Sequence, residues 1–148
     1  MKKIERKEAY PVFRIIDANC NRLREALRVI EEYFRFIASD EKISIQLKQL
    51  RHSLEKIDNS LDFLSLLKSR DTKTDPFACI VSKEETNRTT LQDLLAANFK
   101  RAQEAARVLE EYSKIIDAVQ LCEQAKQIRF SLYAIEKQVM EKSLERER

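Results

Sequence analysis

One set of three polar residues occurs twice in this 148-residue chain, and two of its three side chains are of types that bind phosphate groups. The set is an amide, a guanidinium and a carboxylate at three-residue spacing: Asn19, Arg22 and Glu25, then Asn98, Arg101 and Glu104. Arginine offers a planar fork of donors that matches a phosphate, and carboxylates can hold Mg²⁺ or an amine. On a functional interpretation, the two copies converge and bind a small phosphorylated molecule.

The same residues also permit a purely structural interpretation. On a helix, Asn19 lies at the centre of an apolar face and Arg22 lies within its edge, and burying either group is costly unless it is paired. Arg22 could pair with Glu25 one turn on, or Asn19 could bond to Asn98 across a bundle and fix helix register. The carboxylates could equally belong to a solvated flank with salt bridges. The spacing leaves both interpretations open.

Further charged residues recur beside this set. Glu32 and its copy Glu111 also flank the apolar face. The Arg28–Glu31 pair returns as Arg107 and Glu110, and its position opposite the apolar face predicts exposed ion pairs at i,i+3 spacing. A matched polar run on the second helix of each copy contains two cations, which could face the acids of the first helix. It consists of Lys48, Gln49, Arg51 and Ser53, and of Lys126, Gln127, Arg129 and Ser131.

These residues belong to a longer internal repeat that predicts the architecture. Residues 18–37 align without gaps on 97–116, with eleven of twenty positions identical, and six of eleven positions agree between 47–57 and 125–135. Each copy has the pattern of helix, turn and helix. We therefore predict an all-α bundle of two tandem-duplicated long helical hairpins with pseudo-twofold symmetry. One domain is expected over 1–148, with repeats at about 12–68 and 83–143 and a connecting loop at 69–82.

Helical periodicity assigns the core faces and the ends of the helices. The first helix carries apolar residues from Ile16 to Ile37, and Asp40 is predicted to cap a second helix whose apolar residues continue to Leu67. The third helix should extend to about Ile116, and the fourth should end in a fraying charged tail at 145–148. Candidate caps for the third helix are Ser82 with Glu85, Thr89 and Thr90.

Composition excludes several classes of protein. Charged residues make up 36% of the chain and glycine is absent, which favours helices over strands. The net charge of +3 is interleaved along helical faces, so no nucleic-acid partner is expected. No apolar run is long enough to cross a membrane, and the start lacks the apolar core of a signal peptide, which predicts a cytoplasmic protein. A homodimer is left open.

The cysteines and the histidine argue against covalent catalysis. Cys20, Cys79 and Cys122 are odd in number and far apart, which predicts reduced, mostly buried thiols and neither a disulfide framework nor a zinc site. His52 is replaced by Phe130 in the second copy, so its slot tolerates a hydrocarbon ring. Nucleophilic Cys/His chemistry therefore has little support.

The polar connection between the copies offers a second set of ligand groups. Arg70, Asp71 and Thr72 begin a run of cations, carboxylates and hydroxyls that could contact a nucleoside triphosphate and its metal. Because the run contains no glycine it is not a P-loop. A simple linker is the alternative interpretation.

Five motifs together resemble a known family. They are RIIDANCNRLREALRVIEEYFRF, LKQLRHSL, SRDT, LLAANFKRAQEAARVLEEYSKI and AKQIRFSLYAIE. They are similar to the all-α, monofunctional hydroxymethylpyrimidine phosphate kinase family of thiamine biosynthesis, over roughly residues 12–141. In that family the helical domain also occurs fused ahead of thiamine phosphate synthase, whose barrel has no counterpart here. The family's loop normally continues from RDT into a glycine-containing stretch, from which this chain departs.

The resemblance implies ATP-dependent phosphorylation of hydroxymethylpyrimidine phosphate to the diphosphate, with Mg²⁺. If the chain has this activity, repetition and burial nominate Arg22, Arg101 and Arg70 as phosphate binders, with Thr72 and Asp71 beside Arg70. Asn19 and Asn98 are nominated as pyrimidine or phosphate partners, and Glu25, Glu104 or Asp71 as metal ligands. The predicted catalytic set is Arg22, Glu25, Arg101 and Glu104. The alternative is a non-catalytic helical module that binds a pyrimidine or a partner protein.

Overall fold

A computed structural model describes residues 6–146 of the chain, and no strand occurs in that range. The helices are α1 (Arg6–Glu32), α2 (Glu41–Ser60), α3 (Phe63–Ser69), α4 (Lys83–Thr86), α5 (Leu91–Ser113) and α6 (Val119–Arg146). A π-helical turn, Tyr33–Ile37, continues α1. The all-α prediction is confirmed. None of the helices in the described part of the chain is long and apolar enough to cross a membrane.

The apolar core forms where the periodic faces of the four long helices meet. α1 and α5 pack against each other more extensively than any other pair of described elements. Each is backed by its own partner, because α2 packs on α1 and α6 packs on α5. Fully buried side chains come from all four, including Leu27, Leu47, Leu109 and Leu132. The predicted broad face of the first helix is thus surrounded by several neighbours, as expected in a bundle.

Two contacts fix the direction of the helices. Lys142 Nζ, near the end of α6, lies 2.9 Å from Asp40 Oδ2, just before α2. At the opposite end of the bundle, Leu61 and the residues from Asp117 to Leu121 line one small cavity. α2 and α6 therefore run antiparallel. Since each hairpin is itself antiparallel, α1 and α5 also run in opposite directions.

Both hairpin turns solve the lack of glycine in the same way. Ser39 and Asp117 adopt left-handed backbone conformations, with φ of 50° and 55°. Each turn also contains a hydrogen bond that spans five residues, from Ala38 N to Tyr33 O and from Ala118 N to Ser113 O. Ser39 follows the residue that donates this bond, whereas Asp117 precedes it, so the two turns share a left-handed residue but not one geometry. A twofold operator that relates the two halves stays a prediction.

The π-helical turn overturns one predicted core position. Ile37 was expected on the apolar face of the first helix, but 57% of its surface is exposed. A π turn widens the spiral, so residues after Glu32 no longer follow the 100° progression of an α-helix. Phe34 is buried at this end of the hairpin instead.

The second helix is shorter than predicted. It ends at Ser60, and Asp62 caps a separate helix by accepting a hydrogen bond from Ser65 N. The bend between the two helices changes which residues face the core. Leu66 is buried, whereas Leu64 and Leu67, which were expected in the core, are exposed.

Of the other predicted helix ends, some agree with the structure and some do not. Asp40 caps α2 through Ile43 N, as expected. Ser82 precedes only the four-residue α4, and α5 ends at Ser113, three residues early, because the backbone there turns into the π-type hydrogen bond to Ala118. α6 remains helical to Arg146, where fraying was expected, and 147–148 lie outside the described residues.

Of the free thiols, which were expected to be mostly buried, Cys20 is buried and Cys122 is half-buried. Cys79 is exposed because it lies in the loop before α4.

Thr90 caps α5, and this cap can be tested alone. Its hydroxyl accepts a hydrogen bond from Asp93 N at 3.0 Å. Thr90→Ala should lower the free energy of unfolding by about 1 kcal/mol, because that N–H loses its acceptor. Thr89→Ala is the matched control and should change it by less than about 0.5 kcal/mol. Denaturant titration measures both, and equal losses would show that Thr90 is not the cap.

Candidate active site

A cavity of about 570 Å³ lies between α1 and α5, and we call it the central cavity. Equivalent positions of the two copies line it: Asn19, Arg22, Glu25, Ala26 and Val29 from α1, and Asn98, Arg101, Glu104, Ala105 and Val108 from α5. Six of the nine predicted site residues therefore lie together, namely the two Asn, the two Arg and the two Glu. Arg70, Asp71 and Thr72 do not line it.

Helical spacing explains why these positions share one surface. Asn19, Arg22, Ala26 and Val29 follow one another at intervals of three and four residues, which places them along one side of α1. The α5 positions repeat the spacing. Ala26 carries only a methyl group where the two helices face each other, so space remains between them. Ala105 does the same on α5.

Both asparagines are buried at the base of this cavity. Asn19 and Asn98 expose 4% and 7% of their surface. Each amide nitrogen donates 2.9 Å to a carbonyl of its own helix, Asn19 to Ile15 O and Asn98 to Leu94 O. No hydrogen bond joins Asn19 to Asn98 among the described residues, so the alternative of a bond across the bundle is wrong. Each amide keeps an oxygen that accepts no hydrogen bond from the described residues, so it can accept one from a ligand.

The two arginines are exposed, which corrects the expectation that Arg22 lies buried at the edge of the apolar face. Their long side chains reach solvent because the central cavity opens on this side of α1 and α5. Glu25 and Glu104 are exposed as well. The predicted Arg22–Glu25 ion pair does not form, and none of these four side chains has an ion-pair partner among the described residues. Two guanidinium groups and two carboxylates are thus free to meet a ligand.

The carboxylates of the central cavity suit a particular kind of metal binding. No group of three or more His, Cys, Asp or Glu side chains that could hold a metal occurs within residues 6–146. Mg²⁺, however, is usually held by one or two carboxylates together with substrate phosphates and waters. Glu25 and Glu104 supply that number of carboxylates beside two guanidinium groups that attract phosphate. The donor set fits a magnesium–phosphate complex.

The loop that follows α3 is fastened to the start of α1. Arg70 donates from Nε and Nη2 to the two oxygens of Asp17, both at 2.8 Å. Arg14 Nη2 donates to Asp71 O at 2.5 Å, and the hydroxyl of Tyr10 donates to the carbonyl of Lys68. The bond to Asp17 raises the pKa of Arg70 above its usual value. Arg70 is therefore already engaged by a carboxylate, and its predicted phosphate contact stays a prediction.

Asp71 organises the turn that follows. Its Oδ1 accepts hydrogen bonds from Lys73 N at 3.0 Å and Thr74 N at 3.1 Å, and its other oxygen accepts one from the Thr74 hydroxyl. These donors hold the pKa of Asp71 below its ordinary value, with the Thr74 hydroxyl contributing most. Thr72 is exposed beside them. The arrangement is that of an Asx turn, and the metal and phosphate roles of these two residues remain untested.

Glu31 and Glu110 differ most from their prediction. They were expected on the exposed side of their helices, but only 3% of the surface of Glu31 and 4% of that of Glu110 are exposed. Arg51 Nε of α2 donates to Glu31 at 2.8 Å, and Arg129 of α6 donates to Glu110 from Nε and, at 3.2 Å, from Nη2. Both bonds raise the pKa of the arginine. The second helix of each hairpin faces an acid of the first, as expected, and Arg28 and Arg107 stay exposed.

The sequence argument missed the small and apolar residues of the central cavity, Ala26, Val29, Ala105 and Val108. A signal was present, because Ala26 and Val29 are identical in both copies and continue the helical spacing of Arg22. Ala26 was placed on the apolar face of the first helix and the other three were given no role, because periodicity does not distinguish a packed position from one that lines a cavity.

Comparison with known proteins identifies relatives. The model of the ThiD2 family matches residues 14–138. Proteins named thiamine-phosphate synthase are similar: that of Thermosynechococcus vestitus is 43% identical over 83% of this chain and 34% of its own length. Those of Nostoc punctiforme and Rhodopirellula baltica are 39% and 38% identical, over 87% and 86% of this chain and 35% and 34% of theirs. The chain spans about a third of the length of these relatives. No solved structure matches it.

Proposed function

The chain belongs to the ThiD2 family, and on that basis we propose that it acts in thiamine biosynthesis by phosphorylating hydroxymethylpyrimidine phosphate to the diphosphate at the expense of ATP. The relatives named thiamine-phosphate synthase support the pathway. The reaction rests on the resemblance of the paired motifs to the all-α kinase family and on the chemistry of the central cavity. The observation that carries it is the convergence of Arg22 and Arg101 on one cavity.

The reaction needs charge neutralisation more than acid–base chemistry. The bond from the γ-phosphorus to the β–γ bridging oxygen breaks, and that oxygen leaves with its electron pair on ADP. A new bond joins the γ-phosphorus to an oxygen of the substrate phosphate. That oxygen is already anionic near neutral pH, so no strong base is required. Arg22 and Arg101 would bind the donor and acceptor phosphates and offset their mutual repulsion.

The remaining residues of the central cavity have complementary tasks. Asn19 and Asn98 would bind the pyrimidine or a phosphate through the amide oxygen or the second N–H, since one N–H of each is held by its own helix. Glu25 and Glu104 would hold Mg²⁺, which would neutralise phosphate charge when bound. Val29 and Val108, which also line the cavity, would offer apolar surface to the pyrimidine ring. The buried Glu31–Arg51 and Glu110–Arg129 pairs would keep the cavity walls in place.

The proposal is tested by incubating the purified chain with ATP, Mg²⁺ and hydroxymethylpyrimidine phosphate and separating the products by anion-exchange chromatography. We expect the diphosphate and ADP in equal amounts, and neither without the pyrimidine phosphate. Binding of the pyrimidine phosphate without any diphosphate at high protein concentration would instead establish the alternative, a non-catalytic binding module.

A further inference from the structure

A second cavity adjoins the central cavity at the start of α5, and we call it the side groove. Its volume is about 540 Å³, and it is more open to solvent than the central cavity. Asn87, Arg88 and Thr89 of the preceding loop form one wall, and Asp93 and Ala97 of α5 lie beside them. Arg101 lines both cavities. A molecule in the side groove can therefore reach the same guanidinium as a molecule in the central cavity.

The corresponding surface of the first half is covered by the chain itself. In the register of the repeat, Thr89 and Asp93 correspond to Tyr10 and Arg14. Tyr10 donates to the carbonyl of Lys68 and Arg14 donates to that of Asp71, so the end of α3 and its loop occupy this surface. Arg70 completes the cover by pairing with Asp17, one turn after Arg14.

The second half offers none of these anchors. Asp17, which binds Arg70, corresponds to Ala96, a residue that cannot form an ion pair. Within the described residues α6 continues unbroken from Val119 to Arg146, so no counterpart of α3 folds back onto α5. The two halves thus present the central cavity with matched residues but differ beside it: one flank is closed by protein and the other is open.

We propose that the side groove binds the nucleoside triphosphate, with its phosphate chain directed to Arg101, while the pyrimidine phosphate occupies the part of the central cavity nearer Arg22. The inference rests on the proposed function and assigns each of its two substrates to one half of the chain. The repeated residues alone would let either half take either substrate. The open flank at Arg101 assigns the donor to the second half.

The chemistry of the side groove fits a nucleotide. Its volume is within the range of small-molecule sites, roughly 300–1,000 Å³. The amide of Asn87 and the hydroxyl of Thr89 can bond to a base or a ribose, and the alanines leave room for a flat ring. Arg88 and Arg101 supply positive charge. Asp93 adds a carboxylate, which suits a phosphate chain that carries Mg²⁺ better than a bare anion.

Titration calorimetry with two separate ligands tests the assignment. MgADP and hydroxymethylpyrimidine phosphate are each titrated into the wild type, Ala97→Trp and Asn87→Trp. Both variants place an indole in the side groove, one from α5 and one from the loop. We expect each to weaken MgADP binding by about tenfold or more and to leave the affinity for the pyrimidine phosphate within about twofold. Ala134→Trp, on the exposed side of α6, is the matched control and should bind both ligands normally.

Three outcomes would overturn the inference: no MgADP binding to the wild type, unchanged MgADP binding in both groove variants, or an equal loss of both ligands. Circular dichroism of each variant shows that the helices are intact. Failure of the proposed function is a separate result, because the wild type would then form no diphosphate even where MgADP binding depends on the side groove.

Discussion

Replacing Arg22 or Arg101 by Ala should lower kcat/KM for formation of the pyrimidine diphosphate by about 10²- to 10³-fold, the range for removing one donor that stabilises developing charge. Both guanidinium groups line the central cavity, and neither has an ion-pair partner among the described residues. The folded structure therefore does not depend on their charge. For the same reason, the melting temperature of both variants should stay close to that of the wild type.

The chain provides a matched control for these substitutions. Arg28 and Arg107 lie on the same two helices and also occupy equivalent positions, but they pair with acids of their own helix and do not line the central cavity. Arg28→Ala and Arg107→Ala should retain kcat/KM within about threefold, since surface ion pairs contribute little. If the two pairs of variants lose activity equally, the central cavity is not where the reaction takes place.

Lysine substitutions separate charge from shape. Arg22→Lys and Arg101→Lys keep the positive charge but lose the planar fork that binds a phosphate through two hydrogen bonds. We expect activities between those of the wild type and the alanine variants, measured as kcat/KM under the same conditions. Full activity would mean that only the charge matters, which would assign these residues to attraction of the substrate and not to alignment of its phosphates.

Much of the fold could be predicted because the repeat carries information that a single helix does not. Core residues such as Leu23 and Leu109 follow helical spacing in both copies, so helix type, order and facing could be inferred without any contact being known. The six repeated polar residues of the central cavity could be nominated in the same way. Several apolar positions differ between the copies, as Cys20 and Phe99 do, whereas Asn19, Arg22 and Glu25 are identical to their equivalents.

What could not be predicted depends on which neighbour covers which edge of a helix. The sequence placed Arg22 within the edge of the apolar face and Glu31 opposite that face, because periodicity alone does not show which neighbouring helix covers a position. In the structure α2 packs over the edge at Glu31 and buries it, while the edge at Arg22 opens into the central cavity. Glu31 can be buried only because Arg51 of another helix pairs with it, and the sequence does not show that the fold brings these two residues together.

The sequence repeat also could not predict the asymmetry between the halves, in which one flank of the central cavity is covered and the other is open. It arises where α2 ends: Asp62 caps a new helix, α3, and that helix packs on α1. The sequence predicted one continuous helix through Leu67 because leucines continue at nearly helical spacing across the break. The covered flank of the central cavity thus depends on a helix break in the first hairpin that the continuous α6 of the second hairpin lacks.

Glu31→Ala should lower the free energy of unfolding by about 3–5 kcal/mol, the usual cost of removing one partner of a buried ion pair. The substitution would leave the guanidinium of Arg51, of which 10% is exposed, without its closest acceptor. Glu110→Ala should cost a similar amount, because Arg129 is held in the same way with 13% exposed. The two hairpins thus supply independent copies of one experiment, which is measured by urea denaturation.

Two comparisons show whether burial is the cause. Glu55 also lies near Arg51, at 3.6 Å, but 53% of its side chain is exposed, so Glu55→Ala should cost less than about 1 kcal/mol. The double variant Glu31→Met, Arg51→Met removes both charges together and should recover most of the loss, because a hydrophobic pair of similar size needs no compensating partner. If Glu31→Ala costs no more than Glu55→Ala, the pair does not hold α2 against α1, and the walls of the central cavity must be fixed by apolar packing alone.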